Sequence, residues 1–159
     1  MLYFAYGWRQ MQDRCPSARF FGVALLLDHK LAFTRKSIKR GCGVADILAT
    51  QGQNVWGVVY EIDARDIATL DASEGYKLGR KKNSYFRREC VVLLDGNDQQ
   101  QLTAFTYFAD PIPNPPLPNI EYKNLGPFPD FTGKGRFASR TASRDRCDLA
   151  NIGHDHTTR

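Results

Sequence analysis

The sequence predicts an α+β domain in which a small sheet curls into a barrel and a helix covers one side. Strand-like segments outnumber helical ones by about six to two, and most of them are joined as hairpins. One long strand-to-helix-to-strand passage stands where a doubly wound sheet would alternate regularly. A sheet of this size must protect its edges, and curling into a barrel does so.

Leu2 to Tyr6 reads as a short aromatic strand broken by Gly7, and Trp8 to Arg14 as a helical turn stopped at Cys15-Pro16. Phe20 to Leu27 is almost continuously apolar, Asp28-His29-Lys30 is a polar turn, and Leu31-Ala32-Phe33 returns, which predicts a hairpin. Thr34 to Gly43 is basic and glycine-bearing, hence a loop, followed by a brief strand over Val44 to Leu48 that Gln51-Gly52 closes. Asn54 to Ile62 is the clearest strand, rich in Val and aromatics, and Gly57 within it signals a bend or a close backbone approach. Asp63 has the character of a helix N-cap, Asp66 sits near the positive end of that helix, Ile67 and Leu70 give it an inward face, and Gly75 stops it. After a polar loop over Lys77 to Ser84, strands over Tyr85 to Leu94 and Leu102 to Phe108 flank an Asp95-Gly96-Asn97-Asp98 turn. Five of the eight prolines fall between Ala109 and Pro118, which makes that stretch extended, and Ile120 to Leu125 is expected to make a last helical turn.

At 159 residues the chain has the size of one domain and would bury roughly two-thirds of its unfolded surface. Its net charge of +5 raises the question of nucleic acid, and the distribution of that charge argues against it. Residues 132–159 carry six Lys/Arg against three Asp/Glu, so the preceding body is nearly neutral. The expectation is therefore a domain over 1–131 and a basic, flexible tail over 132–159, where salt-dependent nucleic-acid association is a minor alternative. Arg35-Lys36, Lys39-Arg40 and Arg80-Lys81-Lys82 read as solvated loop charges. Cys15, Cys42, Cys90 and Cys147 form no Cys-x-x-Cys pair and are expected as reduced thiols, and His154-Asp155-His156 is too slight to imply a metal site. With no leader-like N-terminus and no apolar run long enough to span a bilayer, the expectation is a cytoplasmic protein without a membrane partner.

The stretch of greatest chemical interest is Asp71-Ala72-Ser73-Glu74-Gly75-Tyr76, where a helix runs out into a glycine turn and leaves a carboxylate at its end. Read by itself, Glu74 is a solvated carboxylate; Tyr6, Tyr60, Tyr107 and Tyr122 are core or rim aromatics; Asp46 and Glu61 receive no role. Taken in order, Tyr3-Phe4-Ala5-Tyr6-Gly7, Arg14-Cys15-Pro16-Ser17-Ala18, Gly43-Val44-Ala45-Asp46-Ile47, Val55-Trp56-Gly57-Val58-Val59-Tyr60-Glu61-Ile62, Leu70 to Tyr76, Tyr85-Phe86-Arg87 and Thr106-Tyr107 resemble the gamma-glutamylcyclotransferase-like family over about residues 1–125. The resemblance implies a small mixed, mostly antiparallel β-barrel with flanking helices. It also implies an enzyme that needs no cofactor and releases 5-oxoproline from a small γ-glutamyl substrate, whose α-amine attacks its own γ-carbonyl. Glu74 would then be the catalytic acid/base, with Tyr6, Gly7, Trp8, Tyr85, Tyr107 and Tyr122 around the substrate.

One departure from the family pattern is plain. The family follows its Tyr-Gly with Ser-Asn in a loop whose backbone amides cradle the substrate, whereas Trp8-Arg9-Gln10-Met11 follows Gly7 here. Either residues are missing from the loop or Trp8 and Arg9 replace the usual pair. The sequence thus leaves two functional readings, a γ-glutamyl cyclising enzyme and a non-catalytic small-molecule binder on the same fold.

Overall fold

A computed structural model of the chain describes residues 1–7 and 11–120, within the compact unit Met1–Pro129. Five strands, β1 (Leu2–Ala5), β2 (Arg19–Lys36), β3 (Gly43–Glu61), β4 (Tyr85–Leu94) and β5 (Gln101–Ala109), form a closed barrel in the order β1-β3-β2-β4-β5. Every pairing is antiparallel except the parallel closure of β1 on β5 at Tyr3 and Phe105. The expected mixed, mostly antiparallel barrel is thus observed, with helices α1 (Met11–Arg14) and α2 (Ile67–Ser73) beside it and a 3₁₀ turn (Ala64–Asp66) leading into α2. Among the described residues, no helix is long and apolar enough to cross a membrane.

Among the described residues the strands number five because two pairs of expected segments, those flanking Asp28 to Lys30 and those flanking Gln51-Gly52, are each continuous. Asp28-His29-Lys30 makes no turn: β2 runs straight through it, and β3 runs through Gln51-Gly52. The polar residues form a bulge instead, at which the partner of Leu27 is Asn54 and that of His29 is Ala49. Asp28 adopts a positive φ of 55° there, and its Oδ1 accepts the Gly52 N–H at 2.8 Å, with Gly52 itself at φ 76°. Aspartate tolerates the left-handed region and can satisfy a local amide, so one composition serves a turn or a bulge. The true β2–β3 turn lies at Ser37–Cys42, and the loop expected from Thr34 begins three residues later.

Alternation along β1 and β5 separates two cores. Phe4 and Ala104 point into the barrel with Leu26, Ile47, Val55, Val59 and Val92. Their neighbours Tyr3, Ala5, Phe105 and Tyr107 face the other way and pack with Met11, Cys15, Ile62 and Leu70 beneath α2. Leu70 is fully buried, and covering a leucine is worth about 1.5–3 kcal/mol, more than the intrinsic propensity of a seven-residue helix supplies. Asp63, expected as the helix cap, makes no side-chain cap bond and pairs with Arg65, while Asp66 Oδ2 accepts the Ser17 N–H at 2.9 Å and so ties the α2 entrance to the segment after α1. The proline-rich stretch is extended and lies along the β2–β3 hairpin, with Gly43 N–H donating to Leu117 O and Ile112 N–H to Thr34 O. The buried Asp46 carboxylate joins the two by accepting from Thr34 Oγ1, Ile47 N and Ala109 N. The helical turn expected from Ile120 is described only at Ile120, and the tail expected over 132–159 lies outside the described residues.

The close approach signalled by Gly57 is present. A Cβ there would sit 2.6 Å from the Ala5 carbonyl oxygen and equally near the Phe4 ring, which is itself fully buried. Gly57→Ala should therefore cost about 1–3 kcal/mol through overpacking at the β1–β3 seam. Urea unfolding measures this, and an unchanged midpoint would refute the seam as described.

Candidate active site

Glu74 is the C-cap of α2, with φ −88° and ψ 0°. Beyond it Gly75 N–H donates to Ala72 O and Tyr76 N–H to Asp71 O, the paired bonds of a Schellman ending, and Gly75 takes the positive φ of 67° that this ending requires. The turn is locked onto the barrel as Ser84 N–H donates to Gly75 O, and a Cβ on Gly75 would meet Ser84 at 2.9 Å. One helical turn earlier, Asp71 accepts Tyr107 Oη on one carboxylate oxygen at 2.7 Å and Arg87 Nη1 on the other at 2.9 Å. The helix end is fixed by its own backbone and by two strands, and Glu74 has little freedom in where it points.

It points into a cleft of about 420 Å³, a volume suited to a small metabolite. Tyr6, Gly7, Glu74, Tyr85 and Tyr107 all line it. The structure therefore brings five of the seven expected site residues together, while Trp8 and Tyr122 lie outside the described residues. Tyr6 Oη donates to Tyr107 O at 2.6 Å and Tyr85 Oη to Ala45 O at 2.7 Å. Both hydroxyls are spent as donors on the wall. Tyr107 is almost wholly buried and its hydroxyl serves Asp71, so it acts first as the post on which α2 rests. Gly7 has open space where a Cβ would stand, which lets a bound group approach the main chain.

Sequence reasoning left three features without a role. Arg14 Nη1 donates to Glu74 Oε1 at 2.7 Å, and only its place in the Arg14-Cys15-Pro16 segment marked it. Asp71 is signalled by its spacing three residues before Glu74, on the same helix face. Arg35 and Lys36, read as solvated loop charges, belong instead to β2, which extends farther than its polar composition indicates, and they line the cleft together with Arg40, an exposed residue of the following turn as expected. Among the described residues lining the cleft, four basic side chains thus face a single acidic one, a field that favours an anionic guest.

Burial raises the Glu74 pKa above the usual carboxylate range, and the charge and hydrogen bond of Arg14 hold the rise in check. Burial also raises Tyr3, Tyr6 and Tyr107, so these phenols stay neutral beside it. Three cysteines are free thiols, and Cys90 is pushed up to about 12 by burial, which leaves it unreactive.

A family model described as gamma-glutamyl cyclotransferase, AIG2-like, matches residues 3–125. The chain belongs to this family. Among relatives of the cyclotransferase family, the gamma-glutamylcyclotransferase of Homo sapiens is 41% identical over 86 residues and that of Bos taurus 40% identical over 86 residues. Each match takes in 49% of this chain and 46% of the relative, so the chain spans about half the length of the curated relatives it matches. A solved gamma-glutamyl cyclotransferase structure superposes with a TM-score of 0.65 at 32% identity, covering 76% of this chain and 72% of that one.

The raised pKa has a consequence for stability. A carboxyl whose folded pKa lies above its unfolded value binds its proton more tightly in the native state, so it costs stability as pH rises through its titration. As pH rises from about 4.3, the ordinary glutamate value, through the raised folded pKa, Glu74→Gln should therefore gain stability relative to the parent protein. Urea unfolding across that range tests the sign, and a Gln variant that loses stability relative to the parent as pH rises would contradict it.

Proposed function

We propose that this chain catalyses γ-glutamyl cyclotransfer, converting a small γ-glutamyl amide or γ-glutamyl amino acid into 5-oxoproline and a free amine, with Glu74 as general acid/base. The observation that carries this reading is a single, mostly buried carboxylate fixed at a helix end and facing a small cleft whose other charges are basic. The curated relatives named gamma-glutamylcyclotransferase support the same reaction class. A cytoplasmic site of action belongs to the reading and is supported by the three free cysteines.

The chemistry needs one proton carrier. The α-amine attacks as the neutral base, so Glu74 accepts a proton from it as the new C–N bond forms. Glu74 then returns that proton to the departing nitrogen as the original amide bond breaks. One glutamate whose pKa is raised by burial serves both steps better than an ordinary exposed carboxylate. Because the attack is intramolecular and closes a five-membered ring, holding the substrate folded supplies a large part of the acceleration. The wall of Tyr6, Tyr85 and Tyr107 gives the cleft the shape for that task, and the open edge at Gly7 lets the reacting carbonyl approach the backbone. Tyr6, Gly7 and Tyr85 are the substrate-contacting residues in this reading, joined by Trp8 and Tyr122 on the resemblance alone.

The sequence Trp8-Arg9 in place of the family's Ser-Asn favours a second reading, a binder without turnover. Incubation with γ-glutamyl dipeptides and γ-glutamyl amines, with 5-oxoproline measured by mass spectrometry, separates the two. The expected result is product release that falls about a hundredfold to ten-thousandfold in Glu74→Gln. Saturable binding with no product would favour the second reading, and an unimpaired Gln variant would remove Glu74 from the chemistry.

A further inference from the structure

We propose that Arg14 is the receptor for the substrate's α-carboxylate and that it leaves Glu74 when substrate enters, so that binding itself frees the base. The inference rests on the cyclotransfer reading and adds a residue and an order of events to it. Arg14 ends α1, the first element after the Gly7 loop, and shares the cleft with Gly7 and Glu74. Its side chain is 36% exposed against 16% for Glu74, so the arginine is the more solvent-accessible member of the pair.

The pair also has the composition for exchange. Among the described residues Glu74 is the one carboxylate paired with Arg14, through one Nη1 donor, and a guanidinium carries five donors in a fork matched to carboxylates. A γ-glutamyl substrate brings an anionic α-carboxylate and an amine on the same carbon. Pairing that carboxylate with Arg14 places the amine beside the oxygen that Arg14 vacates, and every buried charge keeps a partner. While Arg14 stays on Glu74 the carboxylate is a weaker base, since the cation favours its ionised form. This chain lacks the Ser-Asn pair expected in the substrate loop, and Arg14 supplies a fixed positive charge at that edge of the cleft.

Other groups facing the site do not duplicate this role. Tyr3 and Tyr6 from β1 and its end, Tyr85 from β4 and Tyr107 from β5 contribute hydroxyls rather than charges. Arg35 and Lys36 from β2 and Arg40 from the following turn line the mouth, and Arg14 is the cation that acts on Glu74.

The test compares a γ-glutamyl amide with the 4-aminobutanoyl amide of the same amine. The latter keeps the nucleophile and the carbonyl, lacks the α-carboxylate, and cyclises to 2-pyrrolidinone with release of the same amine. Arg14→Met should lower kcat/KM for the γ-glutamyl amide about a hundredfold and leave that for the decarboxylated analogue unchanged or raised. The acid limb of kcat/KM should move to higher pH in Arg14→Met, because the free enzyme's Glu74 loses its cation, and hold its place in Arg14→Lys. Equal losses on both substrates, a loss on neither, an unmoved acid limb, or a carboxylate-specific loss in Arg35→Met instead would each overturn the proposal. A parent protein that turns over neither amide would overturn the cyclotransfer reading as well, which distinguishes the two failures.

Discussion

The Asp71 carboxylate, taking Tyr107 on one oxygen and Arg87 on the other, is the interaction on which the geometry of the cleft depends. Helix α2 is seven residues long and too short to hold itself together in water. What keeps it formed is the burial of Leu70 and this double bond to strands β4 and β5, and what ends it is the Schellman turn at Gly75. Both oxygens of Asp71 are partnered, and its ion pair with Arg87 is only partly exposed, so the link is stronger than a surface salt bridge. Glu74 follows three residues later and inherits its position from that anchor.

Two opposing effects then set the character of Glu74. Burial disfavours its charge and Arg14 favours it, and burial prevails. A carboxylate balanced in this way responds to any change at Arg14, whereas an exposed one would be buffered by solvent. The strand aromatics matter here for what they exclude as well as for what they touch. Tyr3, Tyr6, Tyr85 and Tyr107 surround the carboxylate with rings and hydroxyls that add no competing charge and keep the local dielectric low.

Much of this was legible in the sequence wherever one local rule acted alone. The boundaries of β4 follow from the polar loop before Tyr85 and the Asp95-Gly96 turn after Leu94, Gly57 announces a backbone contact, and Gly75 announces a positive φ. Reading failed where two structures share one composition. A polar triplet at Asp28 to Lys30 satisfies a turn and a bulge equally, and the Gly52 amide that decides between them is distant in sequence. The site divides in the same manner. Glu74, Tyr6 and Gly7 follow from the family motif, whereas the Arg14–Glu74 pair joins residues 60 apart and the Asp71–Tyr107 bond residues 36 apart, and no periodicity encodes either. Arg35 and Lys36 were misplaced because charged residues at the end of a long strand look like a loop when the register of the partner strand is unknown.

The bulge at Asp28 and Gly52 divides the β2–β3 hairpin into two lengths that count their rungs separately. Below it, Ala24 to Leu27 pair with Gly57 to Asn54 and fill the barrel; beyond it, His29 to Lys36 pair with Ala49 to Gly43 and carry the basic tip to the mouth of the cleft. Residues added or lost at the bulge would change the reach and aim of the tip, and would also shift Ile47, which packs in the barrel core, and Asp46, which holds Ala109. The stretch that gives the fold its stability and the stretch that meets an incoming anion therefore lie on the same two strands and are joined through Ile47 and Asp46, so a change in the length of one is felt by the other.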